Sequence, residues 1–322
     1  MEDRRTDDEI LAAVAMENQA NAAALARAEI RTGFVWIAGS TAALVAGAFV
    51  PVLTLLQFPA IVVIATVALP MWRHIRVLRE DPVARWHRDQ AEDQELRDRR
   101  YDFELRMAAV TPWATVSLMA VIMVVTLVEG FTGGSTHAVP AAALVKAAAR
   151  GGEWWRLLTA AFLHANVPHV AGNLLSFYFL GRLVEAYDRH SRVPLIFLVS
   201  ALGCSLASLL LVKASSLGAS GGIVGLGGYL LTSAVAHKGG APEWIGKRMW
   251  LLVLNLAISG VFGYGHIDNA GHAGGLIGGA LVGLLVRPAD DAPRASAADT
   301  VGWIAMLLLV AAALFTIVRL VS

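Results

Sequence analysis

The sequence predicts an all-α protein that crosses a membrane several times, and composition and spacing carry that prediction. Hydrophobic residues make up 57% of the 322-residue chain against 16% charged, with a mean hydropathy of +0.60, a balance outside the range of soluble globular domains. The uncharged residues also fall in runs of roughly 20, the length a helix needs to cross a hydrocarbon core of ~30 Å. The lipid bilayer is thus the first partner predicted. A net charge of +1 and the lack of a basic run interleaved with aromatics point away from nucleic acid. Cys204 is the single cysteine, so no intrachain disulfide or thiolate metal cluster can form.

In chain order, residues 1–32 mix acids and arginines with alanine and read as a polar or weakly amphipathic cytoplasmic helix. Residues 33–72 are uncharged. As one helix they would measure ~60 Å, so a transmembrane hairpin turning near 53–59, between Pro51 and Pro59, fits better. Residues 73–106 are charge-dense and read as a cytoplasmic linker or solvated surface helix. The core, 107–287, divides into six spans at 110–128, 168–183, 193–212, 217–236, 249–265 and 270–286, with a long mixed connection at 129–167. A polar linker at 288–300 leads to one extra C-terminal span within 301–322. With the N-terminus cytoplasmic, this topology places 21 of the 26 Lys and Arg inside and five outside, as the positive-inside rule requires. It also requires an even number of spans before residue 110, which favours the hairpin.

In that orientation Ser220, His272, His169 and Asn173 sit at one depth near the outer face, on three different spans. Polar side chains inside spans are costly and mark function by default. A serine hydroxyl attacks only when a base takes its proton, and neutral histidine is the usual base. Ser220 and His272 supply that pair if their helices touch. Glycine provides for the touching: six lie between Gly218 and Gly228, with Gly221 and Gly225 one turn apart, and Gly275, Gly279 and Gly283 repeat at the same spacing. His169 and Asn173, at i and i+4, offer an imidazole N–H and an amide NH₂ to a developing oxyanion. The Ser220 backbone N–H is a third donor. Asp268, four residues before His272, could orient the imidazole as an acid does in a triad. Its place in the loop 264–271 makes it read instead as wet and unconstrained. No H-E-x-x-H occurs, His164 and His169 are poorly spaced for a metal, and the spans hold no aspartate pair. No metal is therefore predicted. The near absence of charge within the spans, and of repeated halves, points away from a transporter.

These motifs resemble, in the same order, those of the rhomboid intramembrane serine proteases, over about residues 110–286. Trp155-Arg156 resembles the Trp-Arg of the family's first loop. His164 and His169-x-x-x-Asn173 resemble the second span's histidine pattern, and Gly181-x-x-x-Glu185 its end. Gly218-Ala219-Ser220-Gly221 resembles the G-x-S-G nucleophile motif, and His272-x-x-Gly275-x-x-x-Gly279 the sixth span. The resemblance implies a six-helix rhomboid-like core and a Ser-His dyad that needs no acid. Ser220 would be the nucleophile and His272 the base, with His169, Asn173 and the Ser220 N–H as oxyanion hole. Trp155, Arg156, His164 and Glu185 would have loop or structural roles, and Gly218, Gly221, Gly275 and Gly279 would pack helices. Substrates would be transmembrane proteins cut near the outer face of a plasma membrane, without a cofactor. Relatives that only bind transmembrane clients lack the serine or histidine, and this chain keeps both. One position departs: Val224 stands where many members carry an aromatic four residues after the serine.

Overall fold

The computed structural model describes residues 7–49, 60, 75, 78–79, 81–84, 94–236, 245, 249, 268–288 and 296–322. Eleven helices cover nearly all of the longer stretches: α1 (Asp7–Phe49), α2 (Gln94–Ala109), α3 (Trp113–Phe131), α4 (Gly134–Ala142), α5 (Lys146–Arg150), α6 (Arg156–Thr159), α7 (Val167–Tyr187), α8 (Arg192–Leu211), α9 (Ser220–Ala236), α10 (Asn269–Leu285) and α11 (Ala297–Val321). Among the described residues there is no strand, only an isolated antiparallel bridge between Leu144 and Ser216. Helices α3, α8 and α11 are long and apolar enough to cross a membrane, and α9 is a shorter apolar helix. The chain is an all-α multi-pass membrane protein.

Five of the six predicted core spans appear as α3, α7, α8, α9 and α10, each within a few residues of its predicted limits. The sixth, 249–265, lies outside the described residues, as do the turn and nearly all of the second arm of the predicted hairpin. The first arm differs from expectation. α1 runs unbroken for 43 residues across the boundary at residue 32. Nothing interrupts it before Pro51 except isolated glycines, each costing a helix only about 1 kcal/mol. The linker predicted up to residue 106 ends as α2, whose Phe103 is fully buried in the core, while Arg182 of α7 donates to the Met107 carbonyl at 2.7 Å. The polar linker predicted up to residue 300 also ends early. α11 begins at Ala297 with a capping box between Ser296 and Asp299.

Helices α8, α9 and α10 form the central layer, and glycine explains how they fit. α10 carries two adjacent pairs, Gly274-Gly275 and Gly278-Gly279. One member of each pair faces each neighbour. A β-carbon at Gly274 would strike the Gly203 carbonyl of α8, and one at Gly278 would meet the Ser200 backbone. A β-carbon at Gly275 would strike the Gly221 carbonyl of α9, and one at Gly279 the Gly225 carbonyl. α10 is therefore wedged backbone to backbone between two helices, an approach that any side chain would prevent. α7 packs on α9, and α3 on α7.

Polar clasps join the rest at the end remote from these glycines' N-terminal turns. Glu185 of α7 accepts from the first N–H groups of α3, Thr115 at 2.8 Å and Ala114 at 3.3 Å, and from the Thr115 hydroxyl. Its negative charge complements the positive end of the α3 dipole. Gly181, one turn earlier, makes room for Thr115. The expected loop or structural role of Glu185 is thus that of a helix cap. Asp299 of α11 accepts from Ser191 at 2.6 Å and from Arg192 at 3.0 Å, and Arg192 also binds Asp188 at 3.1 Å. Gly302 lets α11 approach Ser191, and Trp303 stacks on Trp113 at 5.0 Å.

Gly279→Ala should lower the melting temperature by an amount equivalent to about 1–3 kcal/mol, the usual cost of overpacking. Gly130→Ala is the contrast: nothing lies within 4 Å of its β-carbon site. Its melting temperature should be unchanged or slightly raised, and thermal unfolding of the two variants in detergent checks the difference.

Candidate active site

Ser220, His272, His169 and Asn173 reach the same end of the central layer, each by its own local route. Asn166 caps α7, accepting from the His169 N–H at 2.9 Å, and Pro168 fits the first turn. This fixes the turn from which His169 and Asn173 project. Gly218 adopts φ +125°, a left-handed conformation that favours glycine. Its N–H donates to the Ala160 carbonyl at 2.9 Å, and Leu144 and Ser216 exchange backbone hydrogen bonds at 3.0 and 3.3 Å. The first loop thereby holds the turn that delivers Ser220 as the first residue of α9. Gly218, expected to pack helices, lies in this turn outside the helix. Gly221 does pack, leaving room for Cys204 of α8.

Ser220 Oγ lies 2.8 Å from His272 Nε2 across the α9–α10 contact. With Nε2 accepting the serine hydrogen, the ring proton sits on Nδ1. His169 takes the opposite tautomer. The Ala165 N–H donates to its Nδ1 at 3.4 Å, so its proton is on Nε2. That Nε2 lies 3.0 Å from the β-carbon site of Gly218, and Asn173 Nδ2 is 3.8 Å from the same point. Asn173 is buried and its Nδ2 has no hydrogen-bond partner among the described residues. The first N–H groups of a helix have no intrahelical acceptor, and α9 begins with Ser220. Two side-chain donors therefore lie against Gly218, two residues before Ser220, whose own N–H opens α9. A cavity of about 40 Å³ opens at this place, lined by Ser220, His272, Gly218, Cys204, Ser208 and Asp268 among others. It is large enough for two or three water molecules.

The remaining predicted residues support this site from the loop. Arg156 is buried and donates to the carbonyls of Ala143 at 2.8 Å and Pro140 at 2.9 Å, and to Glu153 at 2.6 Å. Its guanidinium lies 4.5 Å from the centre of the Trp155 ring. Trp155 in turn meets Phe315 edge-on at 5.3 Å, and the Arg319 guanidinium lies 5.1 Å from the centre of the same Trp155 ring, both from α11. His164 packs edge-on against His169 at 5.1 Å. Burial, and then the neighbouring His169, hold the His164 imidazole well below the usual histidine range, so it stays neutral. Val224 is completely buried.

Sequence reading missed two groups and misjudged one. Glu129, at the end of α3, accepts from the His164 N–H at 3.0 Å; an acid next to a glycine at a span's end gave no signal. Lys146 is buried beside the site, donating to Ser208 at 2.6 Å and Ser216 at 2.9 Å. Asp268 is neither wet nor unconstrained. It caps α10 through the Gly271 N–H at 2.8 Å and accepts from Ser208 and from Ser216, the latter at 2.7 Å. Its serine partners are 52 and 60 residues away, beyond the reach of any local pattern. Among the described residues no group of three His, Cys, Asp or Glu is placed to hold a metal.

Arg156→Lys should loosen the first loop, because a lysine ammonium cannot span two carbonyls and a carboxylate in one plane. Two buried carbonyls then lose their partner, at about 1–3 kcal/mol each. A lower melting temperature and faster proteolytic nicking within 140–156 are the expected outcomes.

Comparison with known proteins finds one family. Residues 151–289 match the family model described as Rhomboid domain. The chain is 40% identical over 129 residues to Rhomboid protease GluP of Bacillus subtilis, covering 40% of this chain and 25% of that protein. It is 37% identical over 145 residues to RHOMBOID-like protein 1 of Arabidopsis thaliana, covering 42% and 36%. Identity to Rhomboid-related protein 2 of Mus musculus is 32% over 179 residues, covering 51% and 58%. The chain thus spans between a quarter and three fifths of the length of these relatives. The matched segment contains every site residue from Trp155 to His272, and over that segment the chain carries a rhomboid domain.

Proposed function

We propose that this chain is an intramembrane serine endopeptidase that cuts transmembrane protein substrates near the outer face of the plasma membrane, with its N-terminus cytoplasmic. The observation that carries the reading is the 2.8 Å contact between Ser220 Oγ and His272 Nε2; the unpartnered Asn173 Nδ2 against Gly218 adds to it. His272 takes the serine proton as Oγ attacks the scissile carbonyl carbon. The oxyanion that forms is met by His169 Nε2–H, Asn173 Nδ2–H and the Ser220 N–H. His272 then gives its proton to the departing amine, leaving an acyl-serine. A water in the neighbouring cavity, activated by the same imidazole, restores Ser220 and releases the acid. The donors act inside a water-poor site, where oriented dipoles are worth more than in bulk water. The Lys and Arg count supports the orientation, which places the site at the outer face.

Ser220→Ala and His272→Ala should each abolish cleavage of a single-span substrate reconstituted with the protein, while circular dichroism stays unchanged. Members of a catalytic unit lose about as much singly as together, so wild-type turnover in either variant would overturn the dyad. Fluorophosphonate labelling that vanishes in Ser220→Ala separates a protease from a rhomboid-like protein that only binds transmembrane clients. Asn173→Ala should lower turnover by roughly 10²-fold or more with little change in KM. Normal turnover with a raised KM would move Asn173 from the oxyanion hole to the substrate groove.

A further inference from the structure

A second polar cluster lies against the site and ties four segments together. Lys146 comes from α5 in the first loop, Ser208 from the last turn of α8, Ser216 from the loop that precedes α9, and Asp268 from the start of α10. The Lys146 ammonium donates to Ser208 Oγ at 2.6 Å and to Ser216 Oγ at 2.9 Å. Both hydroxyls contact Asp268 Oδ2, Ser216 at 2.7 Å. The direction is forced by chemistry. An ammonium can only donate and a carboxylate can only accept, so each hydroxyl gives its single hydrogen to Asp268. The cluster joins a buried lysine to a half-buried aspartate through two serines.

Its two ends reach the two halves of the site. Asp268 Oδ1 accepts the Gly271 N–H, and the His272 N–H donates to the Asp268 carbonyl at 2.9 Å. Asp268 thus fixes the turn that carries His272. At i and i+4 the two side chains share a helix face, and both line the cavity that also holds Ser208, Ser216 and Ser220. At the other end, Leu144 and Ser216 are bridged, and Arg150 of α5 donates to the Leu209 carbonyl at 2.6 Å. Burial holds Lys146 below the ordinary lysine range, opposed by the charge of Asp268. Burial pushes Asp268 up, but the serine and Gly271 hydrogen bonds and the Lys146 charge outweigh it and hold the carboxyl below its ordinary range.

We propose that Lys146 and Asp268, joined through Ser208 and Ser216, are positioning residues that set the electrostatic environment of His272 from the first loop. This rests on the reading of Ser220 and His272 as nucleophile and base. Among the described residues the titratable groups around His272 are Asp268 on its own helix, Lys146 and Arg150 from α5, Cys204 from α8, and His169 from α7 with His164 behind it. Arg150 is committed to the end of α8. Asp268 favours the protonated imidazole, and Lys146 offsets that effect. The balance decides how far the base remains neutral as pH falls.

The test is the pH dependence of fluorophosphonate labelling of the full chain in detergent, measured from about pH 5 to 9, the range over which a histidine base titrates. Melting temperatures recorded alongside confirm that each variant is folded. Lys146→Met leaves the carboxylate unscreened, so the acid limb should move to higher pH. Asp268→Asn leaves the ammonium unscreened, so it should move to lower pH. Displacements of about half a pH unit or more are expected, and Lys146→Arg should restore the wild-type limb. A purely structural cluster would lower the rate in every variant without moving the limb in opposite directions. Should Asp268→Asn fail to fold, a limb displaced in Lys146→Met and restored in Lys146→Arg still supports the proposal. Wild-type labelling with an unmoved limb in Lys146→Met overturns it and leaves the dyad standing. Absence of Ser220-dependent labelling in the wild-type chain overturns the dyad reading and this proposal with it.

Discussion

The direct backbone contact between α9 and α10 is the constraint on which the rest of this structure depends. Ser220 and His272 stand 52 residues apart in the chain, and no local geometry relates them. Their separation is set by how closely two helix axes can approach, and that limit is set by Gly225 and Gly228 of α9 and by Gly275 and Gly279 of α10. Within a bilayer, burying apolar side chains gives little drive for helices to associate, because lipid is as apolar as leucine. Contact area and small residues take over. The paired glycines of α10 put this to use on both faces, so that α8 backs the histidine helix while α9 meets it. A helix clamped from two sides has little freedom to rotate, and the imidazole inherits that rigidity.

Charge appears where the glycine frame ends. At one end Glu185 caps α3 and Arg192 lies between Asp188 and Asp299; at the other Arg156 gathers loop carbonyls and Lys146 meets Asp268 through serines. Each of these buried charges has hydrogen-bonded partners, as charges removed from water must. None sits near the middle of a helix in the central layer. The frame is thus apolar and close-packed along its length and pinned by directional bonds at its two ends, one of which is the candidate site.

Much of this was legible because it rests on periodicity. Six of the described helices follow from uncharged runs bounded by charge, and the pairing of Ser220 with His272 follows from a serine and a histidine set above glycines at four-residue spacing. What stayed hidden depends on distant partners or on backbone angles. Asp268 reads as a loop acid until Ser208 and Ser216 are brought to it by α8 and the following turn. Asp299 reads as part of a polar linker, since only the fold reveals Arg192 opposite. Gly218 is one glycine among six in its segment, and nothing in the sequence distinguishes a left-handed turn from a packing contact. α1 passes its expected boundary because a change of composition from polar to apolar does not by itself end a helix.

The attachment of α11 carries a consequence for the order in which this protein is completed. α11 is the last described helix to be synthesised, yet it supports elements made long before it. Asp299 joins Ser191 and Arg192 across more than 100 residues of chain, and Phe315 and Arg319 rest on Trp155 of the first loop. The His137 ring, also in that loop, donates to the Leu320 carbonyl at 2.9 Å. A nascent chain that has just released α10 already possesses Ser220 and His272, but Arg192 lacks one of its two carboxylates and Trp155 lacks its footing. The contacts that α11 makes with the loop beside Ser220 can form only once the end of α11 has been made. The candidate site thus leans on a helix that contributes none of its polar groups.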